Sequence, residues 1–451
     1  MEILKLSEIS DACGGSFSEE AEVNGICIDT RKITDGCLFI CIKGERFDAH
    51  QFANEALEKG AAAVMISEYI EVNGPFVKVE DTAKAMLELS GYYRSKFNIP
   101  VVGLTGSVGK TTTKEFTHLV VNAKYNAIKT LGNLNNEIGL PQMLFQIDNS
   151  VEAAVIEMGM NHFGEIHRLS SAAKPTVGLI TNIGVSHIEY LGSREGILKA
   201  KLEILDGLAD NAPLILNGDN DLLSTVKNDK HKIYFYGINC DADFKANNIE
   251  EINGSTVFTI SYFGKETKIT IPLIGIHNVY NALAAFAVGY FLDVDADTAA
   301  EALSKYQPEG MRQKSVVING ITSIEDCYNA SPDSMKAALQ TLKATKGNKK
   351  IAVLSDMMEL GDYSQKAHFE VGEMAAQYNV DYLLCVGEAS KYIVDGAKSK
   401  NLKNAFLFES KDALTDKLFE IAHSGDVIVF KASRAMHLED VFTQIYKRWE
   451  S

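Results

Sequence analysis

The stretch at 103–112 reads Gly-Leu-Thr-Gly-Ser-Val-Gly-Lys-Thr-Thr and directly follows an apolar run at 99–102. A strand feeding a glycine-rich turn, with Lys-Thr at a helix start, commits this part of the chain to an α/β sheet and to an anion at the turn. Backbone N–H groups and the helix N-terminus face phosphate oxygens, Lys110 reaches the outer phosphates, and the Thr111 hydroxyl is placed to ligate Mg²⁺. The standard spacing has a glycine five residues before Gly109; here that position is Leu104, and the glycines are Gly103, Gly106 and Gly109. The loop is a phosphate loop of variant pattern.

A chain of 451 residues has room for two to four domains, each with its own core. The net charge of −16 excludes a nucleic-acid backbone as partner, which leaves a small nucleotide for the loop. No stretch approaches the length of a membrane span, and the first residues lack the basic and apolar regions of a signal peptide. The seven cysteines are scattered without a Cys-x-x-Cys pair, as expected of free thiols in a reducing cytosol. Cys37 and Cys41 fall in an apolar run and read as one strand face.

Short strands and helices alternate over the first hundred residues, with strands at 37–42 and 61–66 and helices at 52–59 and 82–96. Pro100 disfavours helix at Ile99, so the first boundary is placed at 98/99. Between 99 and 310, strands at 99–105, 151–157, 176–182 and 213–216 recur between helices, the sign of a mostly parallel sheet. The alternating runs 256–260 and 268–271 predict a hairpin appended to it. From 311 to 451, strands at 351–355, 382–386 and 426–430 repeat a βα unit of dinucleotide-fold type. No Gly-x-Gly-x-x-Gly follows any of them, so no dinucleotide is implied.

Several polar residues stand where chemistry is expected. Glu157 ends an apolar strand downstream of the loop, the usual place for a Mg²⁺ carboxylate, with Asn161, His162 and Glu165 close behind. The segment 181–187 is a strand leaving into a loop that delivers His187. The helix at 196–208 carries Lys199 and Lys201, which by themselves read as a solvated face. His277, Asn278 and Asn281 lie on the first turns of an apolar helix, with the two asparagines on one side, where a nucleotide base or ribose would occupy them. Arg312, Asp326 with Asn329, Asp356–Glu359, and Lys431 with Arg434 each follow a strand or linker. Singly they are ordinary polar loops; together they read as a second wall facing substrate.

These residues resemble the Mur ligases, the ATP-dependent amide-forming enzymes of peptidoglycan precursor synthesis. The resemblance is carried by 105–111 and by five further segments at 132–141, 157–166, 275–283, 326–335 and 356–361. It covers essentially the whole chain, more weakly in the first hundred residues. Within the family these segments are similar to the branch that joins D-alanyl-D-alanine to UDP-N-acetylmuramoyl-tripeptide. The resemblance implies a three-domain α/β architecture: an N-terminal UDP-substrate domain (1–98), a central P-loop parallel-sheet ATPase domain (99–310) and a C-terminal Rossmann-like ligase domain (311–451) that binds the incoming amine.

By the same resemblance, ATP would be held by Thr105, Gly106, Ser107, Val108, Gly109, Lys110, Thr111 and Thr112, with Asn278, Asn281, Arg312 and Asp326. Two Mg²⁺ are implied, on Thr111 and Glu157 and on His187 and a carbamylated Lys201. Lys110, Lys201, His187 and Arg312 would form the catalytic set. Asn135 and Asn136 would face the muramoyl substrate. Asp29, Thr30, Arg31, Lys43, Gly44, Asp48 and His50 would line its uridine side, and Asn329, Asp356, Lys431 and Arg434 the remaining substrate wall. Three departures from the family pattern touch no charge used in the chemistry: Ala49 in Asp-Ala-His, Cys327 for Ser, and Ala432 for Gly. The implied reaction passes through an acyl phosphate, in a cytoplasmic enzyme, a monomer. The rival readings are a sibling ligase adding a single amino acid, a folylpolyglutamate synthase, and a phosphate-loop switch, which would give Lys201 no role.

Overall fold

The strand that feeds the phosphate loop, Val101–Thr105, is buried along its whole length. It pairs in parallel with Ala153–Glu157 on one side and Val177–Ile180 on the other. Covered on both faces, these strands have no solvent side to alternate toward, which is why they read as unbroken apolar runs. The structure, a computed structural model, describes residues 1–44, 47–308 and 310–450.

The central sheet runs in the order Lys265–Ile271, Ser255–Tyr262, Phe244–Ile252, Ile233–Gly237, Leu214–Asn217, Val177–Ile180, Val101–Thr105, Ala153–Glu157, Ala127–Lys129. It is parallel from Ala127–Lys129 as far as Phe244–Ile252; the last two strands run antiparallel. The expected hairpin is thus present, and Phe244–Ile252 joins it to the parallel part. The helices Lys110–Asn122 and Ile276–Phe291 pack together over this sheet. Ile276–Phe291 is apolar nearly all round because it is enclosed between sheet and helix.

The N-terminal sheet has the order Ser16–Phe17, Phe76–Lys78, Ala63–Ile66, Cys37–Ile40, Gly25–Cys27, parallel except for its first pair. The Asp81 side chain caps the helix Thr82–Arg94 by accepting from the N–H groups of Ala83 and Lys84. At its other end the buried Arg94 guanidinium donates to the carbonyls of Ala173 (3.2 Å), Phe97 (2.5 Å) and Ile99 (2.9 Å), pinning the crossing into the central unit. The C-terminal sheet has the order Lys314–Ile318, Ile321–Asp326, Val427–Lys431, Lys350–Ser355, Tyr382–Val386, Ala405–Phe408, with only the first pair antiparallel.

One apolar cluster runs from the N-terminal sheet into the central one; for example, Tyr93 packs on Phe145 and donates its hydroxyl to the Ile147 carbonyl (2.6 Å). The C-terminal unit has separate clusters on the two faces of its sheet, and one of them reaches the central unit through Val185. Polar residues around the phosphate loop make up much of the seam between those two units.

Candidate active site at the phosphate loop

The loop is braced by the next strand's exit. The N–H of Ser107 donates to the Asn182 carbonyl (3.0 Å) and that of Val108 to the Asn182 side chain (2.8 Å). The Thr181 hydroxyl donates to the Val108 carbonyl (2.8 Å), and Gly184 N–H donates to Ser107 Oγ (2.9 Å). Gly109 takes a φ of 81°, the left-handed region, at the start of the helix Lys110–Asn122. A Cβ on Gly106 would lie 1.9 Å from Thr181 Oγ1, so only glycine allows this close approach. Gly106→Ala is accordingly expected to push the loop off its brace and raise the KM for the nucleotide about tenfold. Steady-state kinetics against nucleotide concentration would check this; an unchanged KM would show that the brace does not shape the site.

The Lys110 ammonium lies on the loop's own carbonyls, Gly106 O at 2.7 Å and Ser107 O at 3.4 Å. Burial pushes its pKa down; Glu157 opposes this and Arg312 adds to it. Glu157, almost fully buried, accepts from Thr111 Oγ1 at Oε2 (3.1 Å) and from Asn135 Nδ2 at Oε1 (2.8 Å). These facing oxygens are hard donors of the kind Mg²⁺ takes, and a nucleotide's phosphates and waters would complete its shell. Among the described residues no group of three or more His, Cys, Asp or Glu gathers as an all-protein metal cage.

Loop, Glu157 and the second wall enclose one cavity of about 330 Å³. Its lining takes in 107–112, Asn135, Asn136, Glu157, His187, Asn281, Arg312, Asp326, Asn329 and Lys431, so the fold brings these distant segments around one space. The Arg312 guanidinium stacks 3.9 Å over the Tyr328 ring. Lys431 is buried and turned inward, donating to Asp326 Oδ2 (2.7 Å), the Asp326 carbonyl (3.3 Å) and the Asn329 carbonyl (2.9 Å). His187 sits at a φ of 65°, with Nδ1 2.8 Å from Glu359 Oε2, a contact across the central and C-terminal units. This contact holds the Glu359 carboxyl below its usual range.

Other expected residues lie elsewhere. Asn278 is buried, and its amide is consumed internally: Nδ2 donates to the Ile274 carbonyl (2.9 Å) and Gln313 Oε1 (3.0 Å), while Oδ1 accepts from Asn281 (3.3 Å). Asn281 in turn accepts from Thr113 Oγ1 (3.0 Å), so a polar chain runs from the loop helix to the linker that bears Arg312. Gln313, which closes it against His277 Nε2 (2.6 Å), is among the residues that sequence reading missed, with Asn182 and Tyr328. Asp356 is turned toward the start of the helix Ser390–Ser399, accepting from Ser390 N–H (2.8 Å) and Ser390 Oγ (2.6 Å). Arg434 is half-exposed and paired with Glu439 (2.6 Å). Besides facing the cavity, Asn136 Oδ1 accepts the N–H groups of Ile138 (3.2 Å) and Gly139 (2.8 Å) where the helix Gly139–Leu144 begins.

Lys201 lies in the helix Arg194–Leu202, 1% exposed, with no carboxylate within ion-pair distance among the described residues. Burial, with the Lys110 charge adding to it, drives its amine well below the ordinary lysine range.

The N-terminal residues form their own group beyond the carboxyl ends of the parallel strands, apart from the cavity. Arg31 makes a two-pronged pair with Asp29 (2.9 and 2.8 Å) that holds this carboxyl well below its usual range. The Thr30 carbonyl accepts from Lys59 (3.4 Å), and Lys43 pairs with Glu68. Gly44 N–H donates to the Phe47 carbonyl (2.8 Å). Buried His50 accepts the Ser67 N–H at Nε2 (2.9 Å), so its Nδ1 carries the proton and donates to Asp48 (2.6 Å).

Fold and loop together define a class: a phosphate-loop nucleotide enzyme with a second α/β wall facing the loop. Comparison with known proteins narrows it. Three family models match: the Mur ligase family catalytic domain at 22–97, the Mur ligase middle domain at 104–289, and the Mur ligase glutamate ligase domain at 311–434. The chain is 41% identical over 430 residues to the UDP-N-acetylmuramoyl-tripeptide–D-alanyl-D-alanine ligase of Bacillus subtilis, covering 94% of this chain and 93% of that one. It is 36% identical to the enzyme of the same name from Escherichia coli, with 97% of each chain covered. A crystal structure of MurF from Acinetobacter baumannii superposes with a TM-score of 0.94 at 30% identity over 99% of both chains. MurF ligase from Thermotoga maritima in complex with ADP superposes with a TM-score of 0.87 at 28% identity, over 95% of this chain and 98% of that one. The chain belongs to the Mur ligase family, with that family's three-domain architecture.

Proposed function

We infer that this protein is an ATP-dependent ligase that joins D-alanyl-D-alanine to UDP-N-acetylmuramoyl-tripeptide, giving the pentapeptide precursor of peptidoglycan. The observation that carries this is likeness along the whole chain, all three domains included, to enzymes of that one activity. A carboxylate does not condense with an amine at neutral pH until one oxygen becomes a leaving group. Transfer of the γ-phosphoryl of ATP to the tripeptide's terminal carboxylate supplies it, and the dipeptide amine then displaces phosphate.

The residues divide the work accordingly. Loop N–H groups and Lys110 hold the β- and γ-phosphates and disperse the charge that builds during transfer. Arg312, held over the Tyr328 ring, would approach the same phosphates from the linker, and Asn281 with Asp326 would face the nucleoside. Asn278 serves through Asn281, since its own amide is saturated. Thr111 and Glu157 would hold one Mg²⁺; His187 Nε2 and a carbamylated Lys201 would hold a second. Mg²⁺ bound there supplies neutralisation of phosphate charge. Asn135 and Asn136 face the muramoyl substrate. The uridine end falls to Asp29, Thr30, Arg31, Lys43, Gly44, Asp48 and His50 on the N-terminal domain (1–98), across from the central domain (99–310). The C-terminal domain (311–451) brings the amine, with Asn329 on its wall. Its polar seam suits closure that keeps water from the acyl phosphate. Among the described residues no helix is long and apolar enough to cross a membrane, and we place the enzyme in the cytoplasm as a monomer.

Phosphate release is the decisive measurement. It is expected only with tripeptide precursor, D-alanyl-D-alanine, ATP and Mg²⁺ together, with the pentapeptide product seen by mass. Release at the same rate without the dipeptide, or a product carrying one amino acid, would overturn the assignment.

A further inference from the structure

Among the described residues, Lys114 is the one buried cation beside the phosphate loop that the reaction above leaves without a task. It lies one helical turn after Lys110 on the inner face of Lys110–Asn122 and is 1% exposed. Its Nζ is 3.2 Å from Glu115 Oε1 and 3.8 Å from Glu157 Oε2. Glu115 is in turn paired with Lys129 through its other oxygen, so a row of alternating charges ends on Glu157. The Glu157 oxygen that faces Lys114 is the one that Thr111 touches. A buried carboxylate needs a neighbouring positive charge or several hydrogen-bond donors, and this oxygen has Lys114 before any metal arrives.

We propose that Lys114 is a resident counter-cation of Glu157. It keeps the carboxylate aimed at Thr111 in the nucleotide-free enzyme and makes entry of a divalent cation depend on the nucleotide's phosphates. A divalent ion approaching Glu157 Oε2 meets the ammonium's repulsion across a few ångströms of low-dielectric interior. The phosphates of bound nucleotide outweigh it, so metal and nucleotide enter together. Lys114 is thus a positioning residue acting through Glu157. The proposal rests on Glu157 and Thr111 being the metal's ligands.

Manganese(II) serves as the probe, titrated into the full chain and followed by electron paramagnetic resonance with and without ADP. Wild type is expected to bind Mn²⁺ weakly alone and tightly with ADP. Lys114→Met is expected to bind Mn²⁺ alone at least about tenfold more tightly than wild type, and Lys114→Arg to restore the weak binding. Lys114→Gln removes the same charge while keeping a donor for Glu115, and it replaces the Met variant if thermal melting shows that one unfolded. Glu157→Gln separates the two layers: it should weaken Mn²⁺ binding in the presence of ADP. If it does so while both charge-removing variants keep wild-type Mn²⁺ affinity, the role of Lys114 is overturned and the metal reading stands. If Glu157→Gln has no effect with ADP, the metal reading falls and the proposal with it. Tight Mn²⁺ binding by nucleotide-free wild type would also overturn it.

Discussion

Lys201→Ala is expected to lower kcat by about a hundred- to a thousandfold, the range for removing one electrostatic stabiliser of a transition state, and millimolar formate or acetate to return part of it. An ammonium at 1% exposure with no carboxylate in reach is an expensive group, and the protein relieves it by favouring the neutral amine. A neutral amine is a nucleophile, and attack on carbon dioxide with loss of a proton would give the proposed carbamate. The side chain would then carry a negative charge beside Lys110, where a positive one is disfavoured. A short carboxylate diffusing into the space left by Ala supplies the same charge without the tether, so recovery is expected to be partial and to saturate. Thermal melting run alongside guards against a trivial loss, because Ala also removes packed methylenes. A melted variant would show loss without rescue. A folded variant that loses activity and gains nothing from formate or acetate would count against the carbamate, and wild-type kcat would remove Lys201 from the reaction.

What the sequence disclosed and what it hid follow from the range of the interactions. The buried strands Val101–Thr105, Ala153–Glu157 and Val427–Lys431 are visible as apolar runs, and the phosphate loop is legible because its whole geometry is encoded in ten consecutive residues. Phe244–Ile252 is not, since it carries Asn247, Asn248, Glu250 and Glu251 with a register shift between Asn247 and Glu250. It is a strand because Ser255–Tyr262 and Ile233–Gly237 lie on either side of it. Among site residues, type and neighbourhood were readable, but partner was not. From its own pattern Lys201 reads as part of a solvated helix face and only the resemblance singles it out, whereas its burial, the property that matters, comes from the packing of other segments around it. The saturation of Asn278 by Gln313 and of Asp356 by Ser390 are likewise tertiary facts. A polar residue in the right segment can support the wall without touching what binds there.

Lys431 shows how far that distinction carries. Lys431→Met is expected to lower the unfolding free energy of the C-terminal domain by about 3–5 kcal/mol, the usual cost of breaking a buried ion pair from one side. Its ammonium sits at 2% exposure on Asp326 Oδ2 and on the carbonyls of Asp326 and Asn329, three acceptors from one loop more than a hundred residues away in sequence. Met fills comparable volume, so packing is largely kept and the loss reports the polar contacts. It leaves Asp326 mostly buried without its cation and two carbonyls without a donor. Asp326→Asn in the same chain should recover part of the loss by removing the stranded charge. Denaturant unfolding of the single and double variants, followed by tyrosine fluorescence and circular dichroism, measures both. The functional consequence follows from the same loop. It carries Asp326, Tyr328 and Asn329, and Tyr328 supports Arg312. A loosened loop should therefore raise the KM for ATP in the single variant, and the double variant should recover stability more fully than affinity, since Asp326 lines the cavity and is the residue proposed for the nucleoside. A single variant within 1 kcal/mol of wild type would mean that Lys431 is free to serve a ligand directly, as its place on the substrate wall first suggested.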